Sequence, residues 1–267
     1  MRDSASPRIS IIIPTFNRSG LLREAVESAL EQDAEDYEVV VVDDASPDNT
    51  WEYLEALDDT RLRAIRQPTH AGMAANWNRA VSEARAPFVY VLQDDDLVES
   101  TLVSRCLRAL DENPSAQMVI FSTLLIDVAG KGERVFWAPE HEHVVNPPDG
   151  LLQFARNWRI SSAQVVFARH LHEAYGGFDL NLPIMSDAEA ILRWLIAAPA
   201  VLLPVALARR RVWTGSVTSE TTGTPAMIET MRGLVQNVLD EAGRSGYSEP
   251  QMAELESALR QMWHMFL

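Results

Sequence analysis

The 267-residue chain sets 23 Lys and Arg against 38 Asp and Glu, a formal net charge of −15, and 47% of its residues are hydrophobic. That length supplies one large domain or two small ones with an ample core, while the acidic balance excludes a sequence-independent hold on nucleic acid and disfavours anionic lipid. A single cysteine, Cys106, rules out an internal disulfide and fits a reducing, cytoplasmic setting.

No signal peptide is expected, because the first eight residues carry charge and no long apolar run. The longest uncharged apolar segment, Trp194 to Ala208, holds Pro199 and Pro204 and is too short to cross a bilayer.

Ile9 to Ile13 reads as a buried strand ended by Pro14, and Leu21, Leu22, Ala25, Val26, Ala29 and Leu30 then recur at helical spacing behind a Ser19 N-cap. Glu38 to Val42 gives a second strand, followed by a short helix at Trp51, Leu54 and Leu57. Arg61 to Arg66 alternates as an outer strand would, and Met73, Trp77, Ala80, Val81 and Ala84 line the next helix. Phe88 to Leu92 is then a fourth buried strand. Strand and helix alternate three times before it, which makes a doubly wound α/β half-fold.

Downstream, Leu102, Cys106, Leu107 and Leu110 mark a helix that closes at Asn113-Pro114, and Gln117 to Asp127 is strand-like. Residues 133 to 150 hold three prolines and read as a long loop. Ser162 to Ala168 returns to strand, and Ser186 is placed to cap a helix carrying Ile191, Leu192, Leu195 and Ile196. Val201 to Ala208 and Arg209 to Thr214 look extended, and Thr218 to Thr224 reads as a polar loop. Met252, Leu255, Leu259, Met262, Trp263 and Phe266 form a C-terminal helical stripe, a core face or, alternatively, a homo-oligomer contact.

The fourth strand runs straight into Asp94-Asp95-Asp96, at the carboxyl end where open α/β sheets bind ligands. If the strand continued, Asp94 and Asp96 would share a side and repel by roughly 2 to 3 kcal/mol at an effective dielectric near 20. Alone, such a triplet is either a solvated helix cap or a seat for a divalent cation. Two more polar loops share that sheet edge: Pro14-Thr15-Phe16-Asn17-Arg18 after the first strand and Asp43-Asp44 after the second. Asp43 and Asp44 by themselves also fit helix capping.

This ordered set resembles the family 2 glycosyltransferases, and the resemblance extends to about residue 218. It implies the GT-A fold: a Rossmann-like, doubly wound, mainly parallel α/β sheet with helices on both faces, here with C-terminal helices added. The implied division is a nucleotide-sugar half over 1–114, an acceptor half over 115–218 and a helical segment over 219–267. The implied activity is inverting transfer of a sugar from a nucleotide diphosphate-sugar donor to an acceptor hydroxyl, with Mn²⁺ or Mg²⁺. The alternative is a non-catalytic nucleotide- or sugar-binding module derived from such an enzyme.

By the same resemblance, Pro14, Thr15 and Phe16 wall the base pocket, with Asn17 and Arg18 beside them. Asp44, or Asp43, accepts from the base, and Asn76 belongs to the nucleotide-sugar loop. Asp94 and Asp96 are the ends of the D-x-D motif, Asp94 toward ribose and Asp96 toward metal, with Asp95 retained because the triplet leaves the register open. Tyr175-Gly176-Gly177-Phe178-Asp179 followed by Ser186-Asp187-Ala188-Glu189 resembles the family's acceptor segment. It makes Asp187 the general base and Glu189 the fallback.

The chain departs from the pattern at Gln93, an acid in many relatives, and at Ala74 and Ala75, where a basic residue often precedes Asn76. Arg79 or another arginine would then have to face the diphosphate. Trp213 replaces the histidine of the segment Arg210 to Ser216, which puts Trp213 forward as a stacking residue. His141-Glu142-His143 lacks the helical spacing of a metal motif, His170 and His172 have no coherent partner, and neither a P-loop nor a G-x-S-x-G elbow occurs.

Overall fold

The computed structural model describes residues 6–132, 134–157, 160–182, 184–214 and 224–264. In chain order the first part runs β1 Ile9–Thr15, α1 Ser19–Leu30, β2 Tyr37–Asp43, α2 Thr50–Glu55, β3 Leu62–Arg66, α3 Met73–Glu83, β4 Phe88–Val91, β5 Leu97–Val98 and α4 Leu102–Glu112. The rest runs β6 Met118–Ile126, β7 Arg134–Val135, β8 His143–Val145, α5 Asp149–Asn157, a 3₁₀ turn Ser162–Gln164, β9 Val165–Ala168, α6 Arg169–Ala174, α7 Ser186–Trp194, β10 Ala200–Arg211, α8 Pro225–Arg244 and α9 Glu249–His264.

One sheet carries all ten strands in the order β3-β2-β1-β4-β9-β6-β10-β5, with β7 on β6 and β8 on β10. The pairs β1–β2, β1–β4, β2–β3 and β6–β10 are parallel, whereas β9 runs antiparallel to both of its neighbours. The apolar runs that suggested buried strands follow from burial on both faces. Their period of two splits them: Ile9, Ile11, Ile13, Val39 and Val41 enter one core, and Ile12, Val40 and Val42 the other. Each such fully buried aliphatic contributes about 1.5 to 3 kcal/mol.

Several expectations change. Ser19 does not cap α1, which starts at Ser19 itself; the first-turn amide of Ser19 is met by Asp48 Oδ2 at 3.0 Å. Ser186 likewise opens α7 without capping it, and its hydroxyl has no partner among the described residues. β1 continues through Pro14 to Thr15, because the β2 side of the ladder pairs Pro14 with Val42 and still meets Asp43. Within residues 133 to 150, β7 and β8 break up the long loop.

The two extended segments after Val201 are the single strand β10, whose register shifts between Leu203 and Ala208, around Pro204, which has no N–H to give the ladder. Leu255 and Leu259 of the C-terminal stripe are fully buried in the main core. The side chains of Met262 and Trp263, and Phe266 entirely, lie outside the described residues, as do Gly215, Ser216 and 218–223 of the polar loop. Among the described residues no helix is long and apolar enough to cross a membrane.

Candidate active site

The parallel register sets Thr15 opposite Asp43 and Ile12 opposite Val91, so the ends of β1, β2 and β4 meet at one edge. At the β2 side, Asp43 is wholly buried and turns the chain by accepting Ser46 N at 3.0 Å, with Arg66 Nε 3.3 Å from its other oxygen. Asp44 faces the next loop. Its Oδ1 accepts Gln67 Nε2 at 2.9 Å and Ala71 N at 2.8 Å; its Oδ2 accepts Gly72 N at 2.9 Å and lies 2.8 Å from His70 Nδ1. The His70 ring stacks on Phe16, centroids 3.9 Å apart and planes 24° from parallel.

Asn76 lies behind this wall, almost fully buried. Its amide donates to Thr15 O and Val42 O, and its oxygen accepts from Gln67, so it ties β1 to β2. Pro14 is buried in β1, and Phe16 is the exposed aromatic of the group. Asn17 takes φ 56°, a left-handed turn that asparagine tolerates, with its amide on Ser46 Oγ at 2.8 Å.

At the β4 side the strand stops at Val91, and Asp96 N bonds back to Gln93 O at 3.1 Å, making Gln93 to Asp96 a turn. The alternation that would have placed Asp94 and Asp96 together is therefore lost. Asp94 and Asp95 instead share Arg18, whose Nη1 is 2.9 Å from Asp94 Oδ1 and 3.2 Å from Asp95 Oδ2. Asp94 Oδ2 also accepts from Thr15 Oγ1 at 2.8 Å and more distantly from Phe16 N.

Asp96 turns away toward β10, where it accepts Arg211 N at 2.8 Å. Burial pushes Asp94 up to about 6, against the pull of Arg18 and Thr15. Burial and the neighbouring Asp95 charge push Asp96 up to about 8, against the Arg211 amide. Burial works to lower Arg18, yet Asp94 and Asp95 raise it above its ordinary value.

Trp213 reaches the same turn: its Nε1 donates to Asp95 Oδ2 at 3.0 Å, and Arg18 lies 5.7 Å from its ring. Arg79 does not take the place of the missing basic residue. It is exposed and pairs with Glu83 one helical turn on. Arg18 is the cation paired with the Asp94 and Asp95 carboxylates, and the Arg211 guanidinium reaches the same turn by donating to Asp95 O at 2.8 Å.

Asp187, in the first turn of α7, accepts Ser162 N at 2.9 Å through Oδ2, and Gln93 Nε2 donates to Ser162 Oγ at 2.9 Å. A chain of three residues thus links Asp187 to the turn that carries the acids. Glu189 is fully buried and bound by Arg193 at 2.5 and 2.9 Å. Arg193 in turn donates to the carbonyls of Tyr175, Gly176 and Gly177, which commits Glu189 to structure and removes it as a fallback base.

Gly177 has no room for a side chain, since a Cβ would collide with Asn78 and His172, and Asn78 clasps the Phe178 backbone with both ends of its amide, each at 2.8 Å. Two non-glycine residues with left-handed backbone, Ala45 (φ 59°) and Met185 (φ 60°), lie within two positions of Asp44 and Asp187, strain of the kind that gathers at working sites.

The family model described as "Glycosyl transferase family 2" matches residues 10–168, more than half of the chain and every element from β1 through β9. The chain belongs to glycosyl transferase family 2. Among curated relatives, a GalNAc(5)-diNAcBac-PP-undecaprenol beta-1,3-glucosyltransferase of Campylobacter jejuni is 34% identical over 133 residues, 49% of this chain and 42% of that protein. Glycosyltransferase GlyG of Streptococcus pneumoniae is 31% identical over 117 residues, 43% of this chain and 38% of that protein. The matches thus span about two fifths of these relatives' lengths.

Among solved structures, S. aureus TarS 1-349 in complex with UDP-GlcNAc superposes with a TM-score of 0.80 at 19% identity, covering 97% of this chain and 73% of that one. The mannosyltransferase PcManGT from Pyrobaculum calidifontis, in complex with GDP-Man and Mn²⁺, gives 0.66 at 21% identity, covering 98% and 71%. This family 2 chain therefore has the GT-A fold of those glycosyltransferases.

Sequence reasoning missed four residues of this family 2 site: Gln67, His70, Ser162 and Gln93 in its bridging role. Gln67 follows directly after β3 and His70 stands two positions before Gly72, so their nearness to a strand end was the signal available. Ser162 had none, because its place depends on how β9 inserts between β4 and β6.

Proposed function

We propose that the chain transfers a sugar from a nucleoside diphosphate-sugar to an acceptor hydroxyl with inversion, assisted by a divalent cation, with the base held between Phe16 and Asp44. The observation that carries this reading is the Asp187–Ser162–Gln93 chain: it sets a carboxylate beside the acidic turn that would meet the diphosphate. Oδ2 is fixed by the Ser162 amide, and no donor engages Oδ1 among the described residues, which leaves that oxygen to take a proton. Asp187 deprotonates the acceptor hydroxyl and the oxygen attacks the anomeric carbon. The bond to the diphosphate then breaks with its electron pair leaving on phosphate oxygen. One displacement from the opposite face inverts the centre.

Charge on the leaving group requires a cationic partner, and Arg18 is within reach of the same turn. The donor set also fits Mg²⁺ or Mn²⁺: two hard carboxylates, Asp94 and Asp95, converge on one cationic nitrogen, and a cation of that kind is commonly held by one or two carboxylates plus substrate phosphates. Such an ion would act as a Lewis acid on the diphosphate. Asp94 and Asp95 are the proposed ligands in place of Asp94 and Asp96, because Asp96 is turned away toward the Arg211 amide.

The direct test is a thermal-shift panel of UDP, GDP and dTDP with and without Mn²⁺. Saturation at a hundredfold over Kd adds about 2.7 kcal/mol of stability; no shift with any of them would count against donor binding. Asp187→Asn should lower turnover by about 10²- to 10⁴-fold while leaving nucleotide binding near wild type. Unchanged turnover there would remove Asp187 as base, and nucleotide binding without turnover in the wild type would favour the binding module.

A further inference from the structure

The Asp44 carboxylate has about four acceptor positions, and all four are taken: by Gln67 Nε2, the amides of Ala71 and Gly72, and His70 Nδ1. Two of these donors are backbone, and Gln67 is braced by Asn76. His70 is different. Its side chain is 52% exposed, and its ring lies flat against Phe16. The imidazole thus presents what a nucleobase would present to this slot: a planar face for Phe16 and a ring N–H for Asp44. Of the two side-chain donors, Gln67 is held by Asn76 and His70 is the exposed one.

We infer that His70 is a base surrogate: the imidazole fills the base slot of the free protein, stacked on Phe16 and bonded to Asp44, and a nucleoside diphosphate must displace it to bind. This rests on the donor reading above and adds a competitor to it. The open fraction of the slot then scales the apparent affinity, so a slot closed nine-tenths of the time binds about ten-fold more weakly than an open one. His70 thereby becomes an affinity-setting residue contributed by the loop before α3, a role opposite in sign to that of a second stacking wall.

The experiment is titration of UDP, GDP and dTDP, with Mn²⁺ present, into wild type, His70→Ala and His70→Gln by calorimetry. For whichever nucleotide binds the wild type, His70→Ala should bind about three- to ten-fold more tightly, and His70→Gln, which keeps a donor but no ring, should fall between. Equal or weaker binding by His70→Ala overturns the surrogate and leaves the donor reading standing. The fold is not at risk in this variant, because Asp44 keeps its other three donors.

A second readout is the His70 Cε1 proton resonance, expected upfield under the Phe16 ring in the free protein and moving toward the free-imidazole position as nucleotide is added. A resonance that stays put while nucleotide binds also overturns the proposal. If the wild type binds no nucleoside diphosphate at all, both readings fall.

Discussion

Asp43-Asp44 and Asp94-Asp95-Asp96 lie on either side of β1, each directly beyond a buried parallel strand, yet their carboxylates are treated differently. Asp44 is surrounded by four donors and Asp43 closes a turn, so the charge at the base end is spread over fixed hydrogen bonds. The triplet has fewer fixed donors per acid: Arg18 shared between two of them, Thr15, a distant Phe16 amide, Trp213 and the Arg211 amide. Burial accordingly raises Asp94 to about 6 and Asp96 to about 8. A buried carboxylate with enough donors is structure. One without them stores an unmet demand for positive charge, which suits a site that a cation and a diphosphate enter together.

The sharpest way to break that contrast is to neutralise one acid of each cluster. Asp95→Asn should lower turnover by about 10²- to 10³-fold, the range for losing one preorganised electrostatic contact, and abolish any Mn²⁺-dependent thermal shift. The fold should survive it. Activity within a few-fold of wild type would dismiss Asp95 as a ligand. Asp44→Ala should act the other way round, through stability. Leaving the Ala71 and Gly72 amides without their acceptor costs about 1 to 3 kcal/mol, read as a lower denaturation midpoint at unchanged m-value. A wild-type midpoint would mean that the loop after β3 is held by something other than Asp44.

The same difference explains what could be read from the sequence. Apolar runs buried on both faces have one reading at period two, so the βα alternation through β4 was legible, as were the strand ends that locate the site to within one or two residues of Thr15, Asp43 and Val91. The register of the triplet was not, since a turn closed by one backbone bond, Asp96 N to Gln93 O, decides which acids face Arg18. Glu189 was ranked behind Asp187 by resemblance alone, without a physical reason in the local pattern. Only the packing of Arg193 against the Tyr175 to Gly177 carbonyls buries one and leaves the other near Ser162. β9, which inserts antiparallel between β4 and β6, brings Ser162 to Gln93 by a long-range pairing that local pattern does not encode.

pH tests the triplet with a smaller effect. Asp96 is raised in the folded protein from an ordinary value near 4 to about 8, so the native state holds a proton that the unfolded chain releases. Across that window the unfolded state binds fewer protons and stability falls as pH rises. The contribution is full below about pH 4 and lost as pH passes 8. The metal-free protein should therefore melt at lower temperature at pH 8.5 than at pH 6, and Asp96→Asn, which keeps the volume and carries no charge, should flatten that slope. A slope identical to wild type would place the proton elsewhere.

The smallest expected effect concerns Trp213, which stands where the family resemblance places a histidine. Its indole N–H gives Asp95 one neutral hydrogen bond, worth about 1 kcal/mol, and its ring lies against Arg18 at a distance where an exposed cation–π contact adds about 0.5 to 1 kcal/mol. Trp213→Phe keeps the ring and removes the donor. Mn²⁺ affinity, measured by calorimetry in the presence of saturating nucleotide, should then shift by no more than about ten-fold, upward, because Asp95 Oδ2 is released from the indole. Trp213→His should raise it further if the imidazole itself ligates. A fall in Mn²⁺ affinity in Trp213→Phe would reverse the argument: the indole would then be positioning Asp95 for the cation, and the acidic turn would resemble the base end in being built ready for its ligand.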